Sequence, residues 1–134
     1  MATFPDDLIA QLVDEGVGAA GVNLFISNRS SGPSQSKPYL LITETGGSGP
    51  LRVQNVPGDG YETPSAQILV RGVDYAAVRS MSELAYNALV KVSNQMLNGT
   101  WYIDIQGLQK FIDLGLDENS QVRIAFNVLA TKRP

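Results

Sequence analysis

The strongest pattern in the chain is a stripe of apolar residues spaced by three and four between residues 75 and 96. Tyr75, Val78, Met81, Leu84, Ala85, Ala88, Leu89, Val92 and Met96 repeat at helical period behind Asp74, a residue suited to capping a first turn. The spacing predicts a helix of about 22 residues whose apolar side covers a sheet. A shorter stripe of Leu8, Ile9, Leu12 and Val13 follows Pro5, Asp6 and Asp7 and stops at Gly16. Proline in the first turn, acids at the positive end of the dipole and a terminal glycine together predict an N-terminal helix.

The remaining apolar runs are shorter and read as strands. "VNLFIS" reads as a short strand and "YLLITET" (39–45) as a buried one, and "SAQILVRG" (65–72) alternates Ala66, Ile68 and Val70 against Gln67, Leu69 and Arg71. After the turn "NGT", "WYIDIQ" sets Trp101, Ile103 and Ile105 against Tyr102 and Asp104. "LQKFIDLGL" is expected to be extended, "DENS" to turn, and "QVRIAFNVLAT" to return with Val122, Ile124, Phe126 and Val128 on one face. Residues 28–38 and 45–64 are polar or rich in glycine and proline. They predict two mobile loops, the second holding a short extended piece at "LRVQNV". The expected architecture is α+β. It is a single domain over residues 1–134, built on a mainly antiparallel sheet of four to five strands. The long helix and the short N-terminal helix pack on one face of that sheet.

Composition narrows the chemistry. With 134 residues, 43% hydrophobic and 17% charged, the chain suits one globular core. It has no cysteine and no histidine. That removes disulfides, thiol and imidazole catalysis, the Ser-His-Asp arrangement and the usual zinc sites, so no enzyme and no cofactor is expected. A net charge of −3 and a pI near 4.8 argue against a general basic field for nucleic acid. No apolar run is long enough to span a bilayer, and the acidic start lacks the form of a secretory signal. The expected setting is the cytoplasm, or an assembly built there.

The glycine-rich stretch "ETGGSGP" (44–50) invites a phosphate-binding reading, which fails. A phosphate loop needs a lysine and a helix immediately after its glycines, and proline-rich sequence follows here. A nucleophile elbow is nearly spelled from Gly46 to Pro50, but proline replaces its last glycine and no histidine exists to activate Ser48. The acids Asp113, Asp117 and Glu118 lack the spacing of a calcium loop. Glycines that let the chain turn sharply explain 44–50 more simply.

Three segments together resemble a known group. A strand opens as "LLITETGG", a second reads "PSAQILVRGVDY" and runs into a helix beginning "AAVRSMSELAYNAL", and the chain closes with "LGLDENSQVRIAFNVLA". Over about residues 38 to 131 this is similar to the small minor capsid or tail-completion proteins of long-tailed bacteriophages, which include tail terminators. The resemblance implies a homo-oligomer, a six-fold ring that caps the finished tail tube at the head-proximal end of the virion. Such a ring ends polymerisation and presents a surface to the head-completion or connector protein. Its partners would be its own copies, the tail tube protein and that connector, with DNA passing the lumen without specific binding and no membrane involved. A head-completion or neck protein of the same joint is the alternative.

On this reading the candidate interface residues are Arg29 and Lys37 in the first loop and Glu44, Arg52 and Tyr61 in and beside the second. Arg71, Asp74 and Tyr75, at the strand-to-helix junction, complete the set. Asp74 is first of all the expected helix cap, and Arg71 reads first as an ordinary surface arginine.

Overall fold

The computed structural model describes residues 3–26, 38–52, 60–116 and 121–133. In chain order the elements are α1 (Phe4–Asp14), β1 (Leu24–Ile26), β2 (Tyr39–Arg52), β3 (Gly60–Gly72), α2 (Tyr75–Val90), β4 (Ser93–Leu97), β5 (Thr100–Leu116) and β6 (Val122–Lys132). The strands form one curled six-stranded sheet in the order β1-β2-β3-β6-β5-β4. All its pairings are antiparallel except β1 with β2.

This corrects the expected architecture. The sheet is larger than four to five strands, it is mixed, and it dominates the molecule. The long helix is shorter than its apolar stripe, with 16 residues ending at Val90. Residues 93–97 leave it to form β4, passing through Asn94 at φ +47°. The β-branched Val92 and two asparagines favour this exit, and pairing with Thr100–Asp104 secures it. Met96 therefore lies exposed on β4 rather than in a helical stripe.

The second expected loop is also mostly sheet. Residues 45–52 and 60–64 extend β2 and β3 as an antiparallel pair, while residues 53–59, with most of "LRVQNV", lie outside the described residues. Its ladder shifts register between Glu44 and Gly46, where Gly46 has φ +101°. The glycines of 44–50 thus mark a β-bulge in a long strand, a use that composition alone does not separate from a turn. Of the first expected loop, residues 28–37 lie outside the described residues, as does the turn at 117–120.

Helix starts follow the sequence closely. Thr3 caps α1, accepting from the Asp6 amide while the Asp6 carboxylate accepts from the Thr3 amide, a reciprocal capping box. Gly16, at φ +76°, ends it. Asp74 caps α2 through the Ala76 amide. The two helices and the sheet share one core of Leu8, Leu12, Leu40, Ile42, Ile68, Val70, Val78, Leu89, Ile124 and Phe126. The alternation seen in β3 and β6 places Ala66, Ile68, Val70, Ile124, Phe126 and Val128 inside, as that pattern requires.

In β5 the alternation breaks. A register shift between Tyr102 and Asp104 lets both Tyr102 and Ile105 point into the core, although an unbroken strand would put them on opposite faces. Further shifts follow between Gly107 and Gln109, Gln109 and Ile112, and Asp113 and Gly115. Such bulges bend a strand and raise its twist, which accounts for the curl of the sheet around α2. Gly107 has a second role: a Cβ there would stand 2.5 Å from the Tyr86 ring. Its absence lets Tyr86 pack edge-on against Phe111 and Phe126.

Candidate assembly surfaces

Two kinds of site emerge: a buried polar anchor that holds α1 to the sheet, and exposed surfaces suited to partners. The anchor begins at Asp7, on the inner face of α1, which accepts a hydrogen bond from the Tyr102 hydroxyl of β5 at 2.5 Å. Both residues are buried. Burial raises the Asp7 carboxyl above its ordinary range, and the Tyr102 bond, the Asn98 side chain and the Lys132 charge only partly offset it. The Tyr102 hydroxyl is pushed far above its usual range by burial and then by Asp7. Gln11, one helical turn along α1, donates to the Ala88 carbonyl of α2 and accepts from the Gln95 amide of β4. Near the same end of the sheet Lys132 forms an ion pair with Glu62. These groups are tied to one another, so the cluster works as a fastening between α1, α2, β4 and β5.

The predicted interface residues fall into separate groups. Glu44 and Tyr61 lie exposed on the β2–β3 pair, where Arg52 is placed only by its backbone. Arg71, Asp74 and Tyr75 lie at the opposite end, where β3 runs into α2. Arg29 and Lys37 lie outside the described residues. Of the junction set, Tyr75 is 48% exposed and Asp74 is engaged as the cap. Arg71 is half-buried, with its guanidinium 5.8 Å from the centre of the Tyr39 ring. Across the ladder Arg71 stands opposite Arg123, whose Nη2 donates to the Leu114 carbonyl at 3.0 Å. Two arginines thus meet on one row where the end of β5 joins the sheet.

Sequence reasoning passed over the surface beside them. Leu108, Ile112, Leu114 and Leu116 of β5 are all exposed, Leu116 by 64%, and Val73 beside the junction is exposed by 56%. Single exposed apolar residues are ordinary, but a series along one strand is not. β4 pairs only with Thr100–Asp104, so among the described residues no strand covers the outer edge of β5 from Ile105 to Leu116. The signal was present in "LQKFIDLGL", whose leucines and isoleucine outnumber what one covered face can absorb.

Other features offer less. A cleft of about 240 Å³ beside α1 is lined by Ile9, Ala20, Leu24, Phe25 and Ile26. Its one ionisable residue, Asp6, already serves the capping box. Among the described residues no group of three or more His, Cys, Asp or Glu side chains is placed to hold a metal ion. No described helix is long and apolar enough to cross a membrane.

No protein-family model matches the chain, and no curated protein matches it in sequence. Among solved structures, the chain is similar to one chain of a "Virion of native gene transfer agent (GTA) particle". The two superpose with a TM-score of 0.59 at 14% identity, over 95% of this chain and 84% of the other. The likeness shows a shared fold, and it extends over nearly the whole molecule.

Proposed function

We propose that this chain is a structural protein of a virion, and that within it the chain forms a ring capping the tail tube at the head-proximal end. The observation that carries the virion reading is the fold shared with a chain of a gene transfer agent virion over almost its full length. The resemblance of the 38–131 segments to tail-completion proteins carries the finer placement. Residue chemistry agrees with both. The buried Asp7 and Tyr102 are bonded to each other. The exposed apolar edge of β5 and the exposed Tyr61 and Tyr75 suit protein partners.

A ring cap needs self-association, one face for the tube and one for the connector, and a lumen that does not hold DNA. A net charge of −3 suits the last requirement. The test is direct. The purified chain is mixed with tail tubes assembled from their own subunit and viewed by negative stain. Density at tube ends together with a halt in tube growth is expected. A chain that ignores tube ends and instead binds emptied heads would replace the cap by a neck or head-completion role.

A further inference from the structure

The inner face of α1 mixes two kinds of residue. Phe4, Leu8 and Leu12 fill the core there, yet Asp7 and Gln11 lie on the same side, only 3% and 1% exposed. A helix packed for stability alone would carry apolar residues at such positions, because a buried carboxylate loses its hydration and depends wholly on the groups around it. Those groups satisfy only part of Asp7. Its Oδ2 accepts from Tyr102, while its Oδ1 is buried and finds no hydrogen-bond partner.

The rest of the surroundings add little for a negative charge. Asp6 contributes a like charge from α1 itself. Asn98 approaches from the turn between β4 and β5, with its side-chain amide bonded to the Asp6 carbonyl at 3.3 Å. Lys132 of β6 is the cation that acts on Asp7, and it is already paired with Glu62 of β3. Leu24 of β1 and Leu40 of β2 join the same core. The Ala88 carbonyl of α2 and the Gln95 amide of β4 are uncharged, and both are engaged by Gln11. The Glu15–Lys91 pair lies at the far end of the helix. A neutral Asp7 suits this setting, whereas an ionised one leaves Oδ1 charged, dry and unpaired.

The attachment of α1 also differs from that of the strands. Ladders of backbone hydrogen bonds tie the strands together, but among the described residues the backbone–backbone bonds of α1 stay within residues 3–17. Side chains alone fasten it to the sheet and to α2. It leads to β1 through "GVGAAG" (16–21), half of it glycine, which can absorb a rotation of the helix.

We propose that α1 is a proton-operated latch: with Asp7 neutral it closes over the sheet in one register, and on loss of that proton it lets go as a unit while α2 and the ladders stay folded. Opening uncovers the apolar side chains that Phe4, Leu8 and Leu12 now cover. The direction follows from burial, which raises the Asp7 carboxyl above its ordinary 3.8. Closure is therefore strongest below that ordinary value and weakens as pH rises through the raised folded value. The latch is a property of the single chain and does not rest on the ring reading.

Amide hydrogen exchange on the whole chain tests it, measured from about pH 4 to about pH 8 and compared at each pH with Asp7→Asn, so that the intrinsic pH dependence of exchange cancels. Residues 4–14 of the wild type should lose protection several-fold relative to the variant as pH rises. Residues 78–89 of α2 should keep the same ratio throughout. A second variant holds the test open if Asp7→Asn folds poorly. Tyr102→Phe keeps the ring that stacks on Phe4 and removes the donor to Oδ2, so its loss of protection in residues 4–14 should be several-fold larger at high pH than at low pH.

Protection of residues 4–14 that tracks Asp7→Asn at every pH would overturn the latch, as would an effect of Tyr102→Phe that does not vary with pH. A parallel loss in residues 78–89 would also overturn it, since the event would then be global unfolding.

Discussion

The two halves of β5 belong to one strand and have opposite fates. Up to Asp104 the strand pairs with β4 on one side, from Tyr102 it also pairs with β6 on the other, and it buries Tyr102 and Ile105 beneath the helices. From Leu108 to Leu116 it has β6 on one side only and exposes most of its apolar side chains. Hydrophobicity does not distinguish the halves, since "WYIDIQ" and "LQKFIDLGL" are similarly apolar. The number of covering neighbours does. One half completes the core, and the other leaves its apolar side chains exposed.

Substitutions that break this contrast should show very different magnitudes. Tyr102→Ala removes a buried ring that stacks on Phe4 and bonds Asp7, and should lower stability by about 3–5 kcal/mol in urea unfolding. A loss below about 1 kcal/mol would mean that α1 is not fastened here. Gly107→Ala, at the boundary between the halves, forces the Tyr86 ring from its place beside Phe111 and Phe126. It should cost about 1–3 kcal/mol and change the near-ultraviolet signal of the aromatic cluster. Asp74→Ala should cost about 1 kcal/mol by uncapping α2, while Asp74→Asn retains the cap. If the asparagine variant is stable but assembles poorly, Asp74 also contributes its charge to an interface.

A smaller effect tests the anchor itself. Because burial raises the Asp7 carboxyl above its ordinary value of 3.8, the folded state favours its neutral form. Its contribution is fully present below that ordinary value and is lost as pH rises through the raised folded value. Asp7→Asn keeps an acceptor for Tyr102 but cannot titrate. Wild-type urea midpoints should therefore fall relative to the variant as pH rises from about 4, and parallel profiles would contradict the burial argument. Smallest of all, Leu108→Lys/Leu116→Lys should change monomer stability by no more than about 0.5 kcal/mol, since both positions are exposed.

Elements fixed by local chemistry were readable from the residues. Thr3, Pro5 and Gly16 bound α1, Asp74 starts α2, and strict alternation identifies β3 and β6. Elements fixed by pairing were not. Residues 93–97 continue a helical stripe, and only the ladder with β5 makes them a strand. Residues 45–52 have the composition of a loop, yet a bulge at Gly46 and pairing with β3 extend them. Tyr102 was assigned to the polar side of a regular strand because a register shift leaves no mark in the sequence.

The candidate site divides similarly. Of the candidate interface residues, Glu44, Tyr61 and Tyr75 lie exposed. The β5 edge was missed because exposure there depends on where β4 stops, a tertiary fact.

Amide hydrogen exchange along β5, followed in dilute chain and in the assembled state, compares its two halves most directly. Residues 101–105 should be protected in both states, and residues 108–116 should gain protection only on assembly. Equal protection of 108–116 before and after assembly would contradict a role for that edge in joining subunits.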